Sequence, residues 1–308
     1  MIRGSNGEIF ANYKFGAEDA KPIVGDWNGD GADCVGIYVD GRWFLDRNGD
    51  GKFDEEDLWA ELGSSSDQPV SGDWDGDGKA DIGIFGPQWA TDPQAIAVEP
   101  GLPTDHNRTI TVDRGKNVPP SEELFSRSEL NLRATKHRDG AQVRVDLIDH
   151  VFQYGNDGDI ALTGDWTGDG VAKIGVYRNG DWYFDMNGDG RWNDGDVKLE
   201  RMGGAGYRPI VGDFDGDGVD SIGLFSNGDW LIDSDGDRRF DASIRFGQAG
   251  DVPVVGDFNG DGVDELAVYR PGATDSDAAD APRQADAPVE SPVDSQVAES
   301  AEGAALQR

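Results

Sequence analysis

Short apolar runs alternate along the chain with acidic, glycine-rich stretches. Between Pro69 and Phe85, a Pro-Val-Ser run leads into Gly-Asp-Trp-Asp-Gly-Asp-Gly, and the apolar segment Ile-Gly-Ile-Phe follows. Short apolar runs bounded by glycine and aspartate are typical of β-strands, and a proline at the first residue of a strand removes no interior ladder bond. The pattern therefore predicts an all-β fold of short strands joined by acidic loops.

The same pattern recurs as an internal repeat. Its Gly-Asp pair begins at residues 25, 72, 164, 212 and 256, so the unit recurs about every 46 residues or at twice that interval. Asp-Gly or Asn-Gly pairs at 40–41, 179–180 and 227–228 predict two-residue hairpins between a second and a third strand. Each unit thus has strands A, B, C and D, which is the composition of one β-propeller blade.

The sequence predicts about five four-stranded blades within residues 1–271. The fifth unit begins at Pro253 and stops after strand B at Tyr269, whereas residues 8–16 resemble the D strand that precedes each later repeat. We therefore expect the N- and C-terminal strands to share one blade. That arrangement closes the ring and leaves no exposed sheet edge between the chain ends.

Two segments depart from the repeat. Residues 87–150 form an insertion in blade two that contains all three histidines, at positions 106, 137 and 150, and a helix-like stretch at 121–130. Long irregular insertions in a compact domain are usually functional or disordered, and we expect this one to contact a binding partner. Residues 272–308 are rich in alanine, proline and acidic residues and contain no aromatic residue. This acidic tail is predicted to be disordered because it cannot bury enough apolar surface.

The acidic loops between strands A and B, called A–B loops one to five, have the spacing of calcium ligands. Oxygen-bearing side chains occur at loop positions 1, 3 and 5 with glycine at position 6, and alternating oxygens on a tight turn can converge on one Ca²⁺. Position 9 is Asp81 in loop two and Glu265 in loop five, but cysteine, lysine or serine in loops one, three and four. Loops two and five are therefore the best candidates, and loop three, with its lysine, is the weakest. The candidate ligands of this class are Asp26, Asn28, Asp30, Asp73, Asp75, Asp77, Asp81, Asp165, Asp169, Asp213, Asp215, Asp217, Asp257, Asn259, Asp261 and Glu265.

A second class, the C–D loops, joins strands C and D of units one, three and four. Residues 46–57 and 185–196 match the EF-hand spacing at positions 1, 3, 5, 6, 9 and 12, but position 12 is the shorter Asp, which predicts weak binding. The C–D loop that begins at residue 233 lacks glycine at position 6 and has Ile244 at position 12. The flanks read as strands, so no helix–loop–helix hand is expected. The candidate ligands of this class are Asp46, Asn48, Asp50, Asp54, Asp57, Asp185, Asn187, Asp189, Asn193, Asp196, Asp233, Asp235, Asp237 and Asp241.

A competing interpretation treats these loops as plain turns. Aspartate and asparagine side chains bond to their own backbone and favour turns without any metal. A single such loop would favour that interpretation. Because the oxygens recur at positions 1, 3 and 5 in up to eight loops, the sequence favours calcium in at least some of them.

Charge limits the classes of partner. The chain has 61 acidic and 27 basic side chains and a formal net charge of −34, which excludes nucleic acid and anionic membranes as expected partners. No apolar run approaches the ~18 residues of a membrane span, so no membrane insertion is expected. The first residues contain no apolar signal core, and the single cysteine, Cys34, excludes an internal disulfide framework. Extracellular calcium modules typically bind at about 10⁻⁴–10⁻³ M, so we expect an extracellular or cell-surface location.

The A–B loop motif carries a resemblance to a known family. Gly-Asp-(Trp/Phe)-(Asp/Asn)-Gly-Asp-Gly followed by an apolar strand resembles the FG-GAP (VCBS-like) repeat of integrin α-chain propellers and bacterial surface proteins. The resemblance covers most of residues 8–270 apart from the insertion. It implies a calcium-binding propeller that serves as a secreted or cell-surface binding or adhesion module, usually within a larger protein.

The leading functional hypothesis is a non-catalytic, integrin-like propeller that binds several Ca²⁺ ions and recognises a protein or glycan. No catalytic residue is assigned, because the sequence contains no nucleophile motif and no phosphate-binding glycine loop. The alternative is a polysaccharide-acting enzyme, or its accessory domain, with residues 87–150 forming the wall of the active site. A purely structural spacer is a third hypothesis. Trp43, Trp182 and Trp230 recur on strand C and are interpreted as packing residues.

Overall fold

The computed structural model describes residues 1–86, 110–112, 147–152 and 154–271, apart from residues 5, 6, 13, 17, 18, 157, 189 and 191. Regular structure in these residues is entirely β, without a helix, which confirms the all-β prediction. The helix-like stretch at 121–130, two of the three histidines, most of the insertion and the tail at 272–308 lie outside the described residues.

The described strands are short, as the apolar runs predict. They are β1 (Ile2–Arg3), β2 (Ile9–Ala11), β3 (Lys21–Gly25), β4 (Cys34–Val39), β5 (Arg42–Leu45), β6 (Leu58–Glu61), β7 (Gln68–Gly72), β8 (Asp81–Phe85), β9 (Ile110–Val112), β10 (Leu147–Phe152), β11 (Ile160–Gly164), β12 (Lys173–Arg178), β13 (Asp181–Phe184), β14 (Val197–Leu199), β15 (Arg208–Gly212), β16 (Ser221–Ser226), β17 (Asp229–Ile232), β18 (Ala242–Arg245), β19 (Val252–Gly256) and β20 (Glu265–Tyr269).

These strands form four-stranded sheets in a propeller-like ring. Sheet one is β3-β4-β5-β6, sheet three β11-β12-β13-β14 and sheet four β15-β16-β17-β18, and each is an antiparallel meander. Sheet five is β19-β20-β1-β2, also antiparallel, with Ile2 opposite Ala267. The N-terminal strands therefore complete the sheet that the last two described strands begin.

Sheet two, β7-β8-β10-β9, departs from the plan of the other four. Its inner pair is the expected antiparallel one, but its third strand, β10, runs parallel to β8 and pairs His150 with Gly83. Strand β9 and most of β10 come from residues 87–150, which the sequence analysis interprets as an insertion outside the repeat. A parallel partner needs a long connection instead of a hairpin, and residues 87–146 supply that length.

The two-residue hairpins between strands B and C form as predicted. Asp40 and Gly41 have φ values of 48° and 81°, and both residues of the Asn-Gly pairs in sheets three and four also have positive φ values. Both central residues of a type I′ turn require positive φ, which asparagine, aspartate and glycine tolerate best. Gly41 also lies against the backbone carbonyl of Gly63, so a side chain there would clash with the turn between strand D and the next sheet.

The strand-C tryptophans are core residues, which confirms their interpretation as packing residues. Trp43, Trp182 and Trp230 have no exposed area. Each indole Nε1 donates a hydrogen bond to the backbone carbonyl that follows strand D, at 3.0 Å to Leu62, 2.8 Å to Met202 and 2.7 Å to Phe246. Buried indoles are thereby satisfied, and strand D is tied to the sheet.

A circle of backbone hydrogen bonds joins each sheet to the next. In every A–B loop the N–H of position 8 donates to the carbonyl oxygen of position 1 in the preceding sheet. The five donor–acceptor pairs are Asp33 to Asp257 (2.6 Å), Ala80 to Asp26 (2.8 Å), Ala172 to Asp73 (2.7 Å), Asp220 to Asp165 (3.0 Å) and Asp264 to Asp213 (2.8 Å). The circle is continuous, since the last sheet bonds to the first.

The glycine of each Gly-Asp pair is required by this contact. A Cβ on Gly72 would collide with the Cβ of Ala172, and one on Gly256 would lie 2.6 Å from both Asp33 Oδ2 and Val24 Cγ1 of the next sheet. Real Cβ atoms do not come so close to other heavy atoms. Glycine is therefore needed at this position because the sheets approach each other closely at this end.

We expect deletion of residues 1–16 to destabilise the protein strongly and to cause aggregation, because it removes β1 and β2 and exposes the backbone of β20 as an open edge. Melting temperature and light scattering measure the effect. The control is removal of residues 273–308, which the sequence predicts to be disordered and so to leave the melting temperature unchanged. A monomer of unchanged stability after the first deletion would contradict the pairing.

Candidate metal centres

Both classes of acidic loop lie at the same end of a sheet. In sheet one the Asn28 side chain of the A–B loop donates to the Arg47 carbonyl of the C–D loop at 2.9 Å. Gly49 of the C–D loop packs against the Cys34 sulfur, and Gly188 packs in the same way against the Lys173 stem in sheet three. The acidic side chains of a blade are therefore concentrated in one region.

Each A–B loop is held by its first aspartate. In loop two, Asp73 accepts the N–H of Gly76 with Oδ1 at 2.7 Å and that of Gly78 with Oδ2 at 2.8 Å. Asp75 Oδ1 accepts from the N–H of Asp77 at 3.1 Å. The other four loops repeat the two bonds of the first aspartate. These bonds are the turn chemistry that the competing interpretation requires, so they do not by themselves indicate a metal.

Position 9 brings a further carboxylate into loops two and five. Asp81 and Glu265 are both buried, and each accepts a backbone N–H from position 2, at 3.2 Å from Trp74 and 3.0 Å from Phe258. The Asn259 amide in loop five also donates to Glu265. Burial raises the pKa of Glu265 above its usual range. The sequence favours these two loops as calcium sites, and in the structure their position-9 carboxylates lie beside the loop.

Among the residues that the structure describes, three groups of carboxylates come close enough to share one cation. One oxygen from each member lies within 4.8 Å of the others in these groups: Asp73, Asp75 and Asp81; Asp213, Asp215 and Asp217; and Asp233, Asp235 and Asp241. Burial, followed by repulsion from Asp77, raises the pKa of Asp75. Like charges at such distances repel strongly unless a cation lies between them.

Loop three contains a cation of its own. The Lys173 ammonium at position 9 donates to Thr167 Oγ1 at 2.8 Å, Asp169 Oδ1 at 2.6 Å and the Val171 carbonyl at 2.8 Å, and lies 3.7 Å from Asp165 Oδ1. Only 7 % of Lys173 is exposed. Its hydrogen bond lowers the pKa of Asp169.

Two C–D loops contain a buried carboxylate oxygen without a hydrogen bond. Asp46 and Asp233 are 0 % and 1 % exposed. Oδ2 of Asp46 accepts from Gly51 N at 2.8 Å and that of Asp233 from Arg238 N at 2.8 Å, while Oδ1 of each has no partner among the described residues. Burial raises the pKa of Asp46 to about 6. A buried carboxylate oxygen left without a partner is costly, so these two oxygens are available to accept a bond from a further group.

Position 12 closes the C–D loops instead of standing open for a ligand. Asp57 accepts from Arg47 N at 2.9 Å and from Asp54 N at 2.7 Å, one bond to each oxygen. Asp196 does the same with positions 2 and 9 of its own loop. In the shorter C–D loop of sheet four, Asp241 takes this role, with both oxygens bonded to Ser234. The position-12 aspartates thus accept backbone N–H groups of their own loops, a role that the EF-hand spacing did not predict.

Among the other candidates of the C–D loops, Asp185 is buried and accepts the N–H groups of Gly188 and Gly190, at 2.9 Å and 2.6 Å, whereas the others described next lie nearer the surface. Asn48 and Asp54 each use a side-chain oxygen to accept a backbone N–H two residues on, at 3.0 Å and 2.9 Å. Asn187 and Asn193 bond to each other at 3.2 Å. Asp189 lies outside the described residues. The structure therefore assembles the predicted residues loop by loop, not into one common centre.

Sequence reasoning missed the aspartates at position 8 of the A–B loops. Asp33, Asp220 and Asp264 line a central channel of about 550 Å³ that is walled by the first strands of the sheets. Each accepts with Oδ2 the N–H of position 1 in the neighbouring sheet, at 2.7–3.0 Å. Burial raises the pKa of Asp33 and of Asp220 to about 7, and mutual repulsion adds to the rise for Asp264. The signal was present in the sequence as an aspartate at position 8 in three of five loops.

No protein-family model and no curated protein matches the chain. In the described part of the chain, no helix is long and apolar enough to cross a membrane. The functional assignment therefore depends on the geometry of the loops.

We expect the three channel aspartates to make stability fall as pH rises. Their folded pKa values are raised above the ordinary 3.8, so the folded state binds more protons than the unfolded state between about pH 4 and 7. Their contribution to stability is present below pH 4 and is lost as pH rises through 7. In chelator, the melting temperature should drop by several degrees across this range.

The matched variant is Asp33→Asn with Asp220→Asn and Asp264→Asn. Asparagine keeps an oxygen that can accept the neighbour's N–H but has no charge to bury. The triple variant should show a smaller pH dependence of the melting temperature than the wild type and should melt higher than the wild type at pH 8. An unchanged pH profile in the variant would show that these carboxyls are well solvated in the folded state.

Proposed function

We propose that the chain is a non-catalytic, calcium-binding β-propeller of five blades that recognises a protein or glycan outside the cell. The blade count treats mixed sheet two as a modified blade. Two observations support it: β7 and β8 keep the standard antiparallel pairing, and the circle of backbone hydrogen bonds passes through sheet two like the others. The outer half of blade two then comes from the insertion.

Calcium is the proposed ligand of the acidic loops, and one observation carries this proposal. Asp46 and Asp233 stand at position 1 of two equivalent C–D loops and have the same bonds: one oxygen to the loop backbone and one buried oxygen without a partner. Carboxylate, amide and carbonyl oxygens are the ligands that Ca²⁺ prefers. Several bound Ca²⁺ ions would also offset part of the −34 charge.

Recognition outside the cell is inferred from the calcium sites and from the resemblance to FG-GAP repeats. Sites with extracellular affinities, about 10⁻⁴–10⁻³ M, stay mostly empty in a resting cytosol. The loop face also offers a contact point: Trp192 of C–D loop three is 52 % exposed, whereas Phe53 at the same position of loop one is buried. The Trp192 ring lies 5.4 Å from that of Tyr183. Exposed aromatic side chains of this kind are enriched in binding interfaces.

Calcium titration with a count of bound ions tests the proposal. We expect Asp46→Asn to lose one bound ion and the matched control, Asp40→Asn in an exposed hairpin turn at the other end of the sheet, to lose none. At a hundredfold excess of calcium over Kd, one site stabilises the fold by about 2.7 kcal/mol, so the variant should melt lower than the wild type.

In chelator, Asp46→Asn should melt at the same temperature as the wild type or higher, because the variant no longer buries a charged oxygen without a partner. An unchanged number of ions in Asp46→Asn would remove this loop as a site. A wild-type melting curve that chelator does not move would make the loops plain turns.

Ligand recognition is tested by rebuilding the insertion. Val112 and Leu147 are directly opposite each other in the antiparallel pair β9–β10, so Asn-Gly can replace residues 113–146 as a two-residue hairpin. We expect a folded propeller with its full number of calcium ions and no binding on glycan and protein arrays. Retained binding would move the site elsewhere, and Trp192→Ala would then test the loop face. Release of new reducing ends from polysaccharide by the wild type would support an enzyme instead.

A further inference from the structure

We propose that A–B loop three carries a built-in cation, with the Lys173 ammonium occupying the position at which its sister loops take a divalent ion. This inference rests on the proposed calcium function and assigns it unequally among the loops. It makes Lys173 the residue that removes one metal site from the ring.

The ammonium contacts the oxygens that would ligate a metal. Its bonds go to positions 3, 5 and 7, and position 1 lies 3.7 Å away. Positions 1, 3 and 5 supply side-chain oxygens and position 7 a backbone carbonyl in a calcium loop of this spacing. A buried ammonium is tolerated only where acceptors surround it, and this loop supplies them within 2.6–2.8 Å.

The charges of the loops agree with this exchange. Loop two places four carboxylates at positions 1, 3, 5 and 9 against one ammonium, that of Lys79, which pairs with Asp77 at 3.4 Å. Loop three has only Asp165 and Asp169 and replaces the other two carboxylates with Thr167 and Lys173. Two negative charges and one ammonium leave loop three nearly balanced. A divalent ion could bind here only by displacing the ammonium of Lys173, which is buried against the loop oxygens.

In A–B loops two and five, position 9 places a side chain of opposite charge beside the loop oxygens. Asp81 and Glu265, like Lys173, are buried next to the loop oxygens of their own A–B loops. The identity of this one residue therefore decides between an acid that completes a metal site and an ammonium that replaces the metal. The third loop should accordingly stay closed when calcium is removed.

The test exchanges the two side chains and counts bound calcium in the intact chain by equilibrium dialysis. We expect Lys173→Asp to bind one more ion than the wild type and to melt several degrees lower in chelator. The reciprocal Asp81→Lys should bind one ion fewer and melt higher in chelator than the wild type. Lys198→Asp, on β14 and away from the A–B loops, is the matched control and should leave the ion count unchanged.

Each outcome decides a separate statement. If the wild type binds calcium and folded Lys173→Asp binds no more, the built-in cation is overturned while the calcium function stands. If Lys173→Asp does not fold, Asp81→Lys decides: one ion fewer with higher stability in chelator supports the inference, and an unchanged count overturns it. If no variant binds calcium, the proposed function fails and this inference fails with it.

Discussion

The ring depends on the aspartate at position 1 of each A–B loop, because this residue joins local and long-range structure. Asp213 accepts the N–H of Gly216 and Gly218 with its carboxylate, which fixes its own loop. Its carbonyl accepts the N–H of Asp264 from the next sheet at 2.8 Å, and its N–H donates to the Asp264 carboxylate at 3.0 Å. A change that disturbs the loop thus disturbs the contact between sheets, so loop chemistry and fold stability are linked.

This arrangement concentrates acids at one end of the ring and must offset their repulsion. Backbone N–H groups do part of this, because each first aspartate accepts several of them. In loop three the ammonium of Lys173 lies among the loop oxygens, whereas in loop two Lys79 pairs with Asp77 at 3.4 Å and Asp73, Asp75 and Asp81 lie within 4.8 Å of one another. The contrast between a buried ammonium at position 9 of loop three and a buried carboxylate at position 9 of loops two and five is the physical reason to infer a metal in the latter.

Most of the blade plan could be predicted from the sequence because it is local. The period, the hairpin pairs such as Asp40-Gly41 and the strand-C tryptophans all depend on residues within one unit, and the structure confirms the hairpins and the tryptophans. Features that depend on which distant backbone groups the fold brings together could not be predicted. The parallel strand β10 lies 62 residues beyond its partner β8 in sequence, and no local pattern indicates that pairing. The roles of Asp57 and Asp33 likewise depend on which backbone N–H groups the fold brings to them.

The contacts between sheets have two chemical forms, and their distribution follows the irregular sheet. Three contacts use a position-8 aspartate, but the two that flank sheet two have alanine there. In those two, a hydroxyl on the first strand takes over: Ser71 donates to the Val24 carbonyl at 2.6 Å, and Thr163 donates to the Ser71 carbonyl at 2.7 Å. In sheet one, whose contact with sheet five uses Asp33, the same position of the first strand is Val24, which has no hydroxyl.

The hydroxyl form is neutral and the carboxylate form is not. Burial raises the pKa of Asp33 and of Asp220 to about 7, so ionising these carboxyls places a desolvated charge at the contact and destabilises the fold, although the charged group accepts the backbone N–H more strongly. A hydroxyl carries no charge in this pH range. Sheet two, which lacks the regular outer hairpin and takes its third strand from a distant segment, is therefore joined to the ring on both sides by bonds that do not titrate. Alanine at position 8 therefore occurs together with a hydroxyl residue on the first strand, and the hydroxyl supplies the bond between sheets that an aspartate side chain supplies elsewhere.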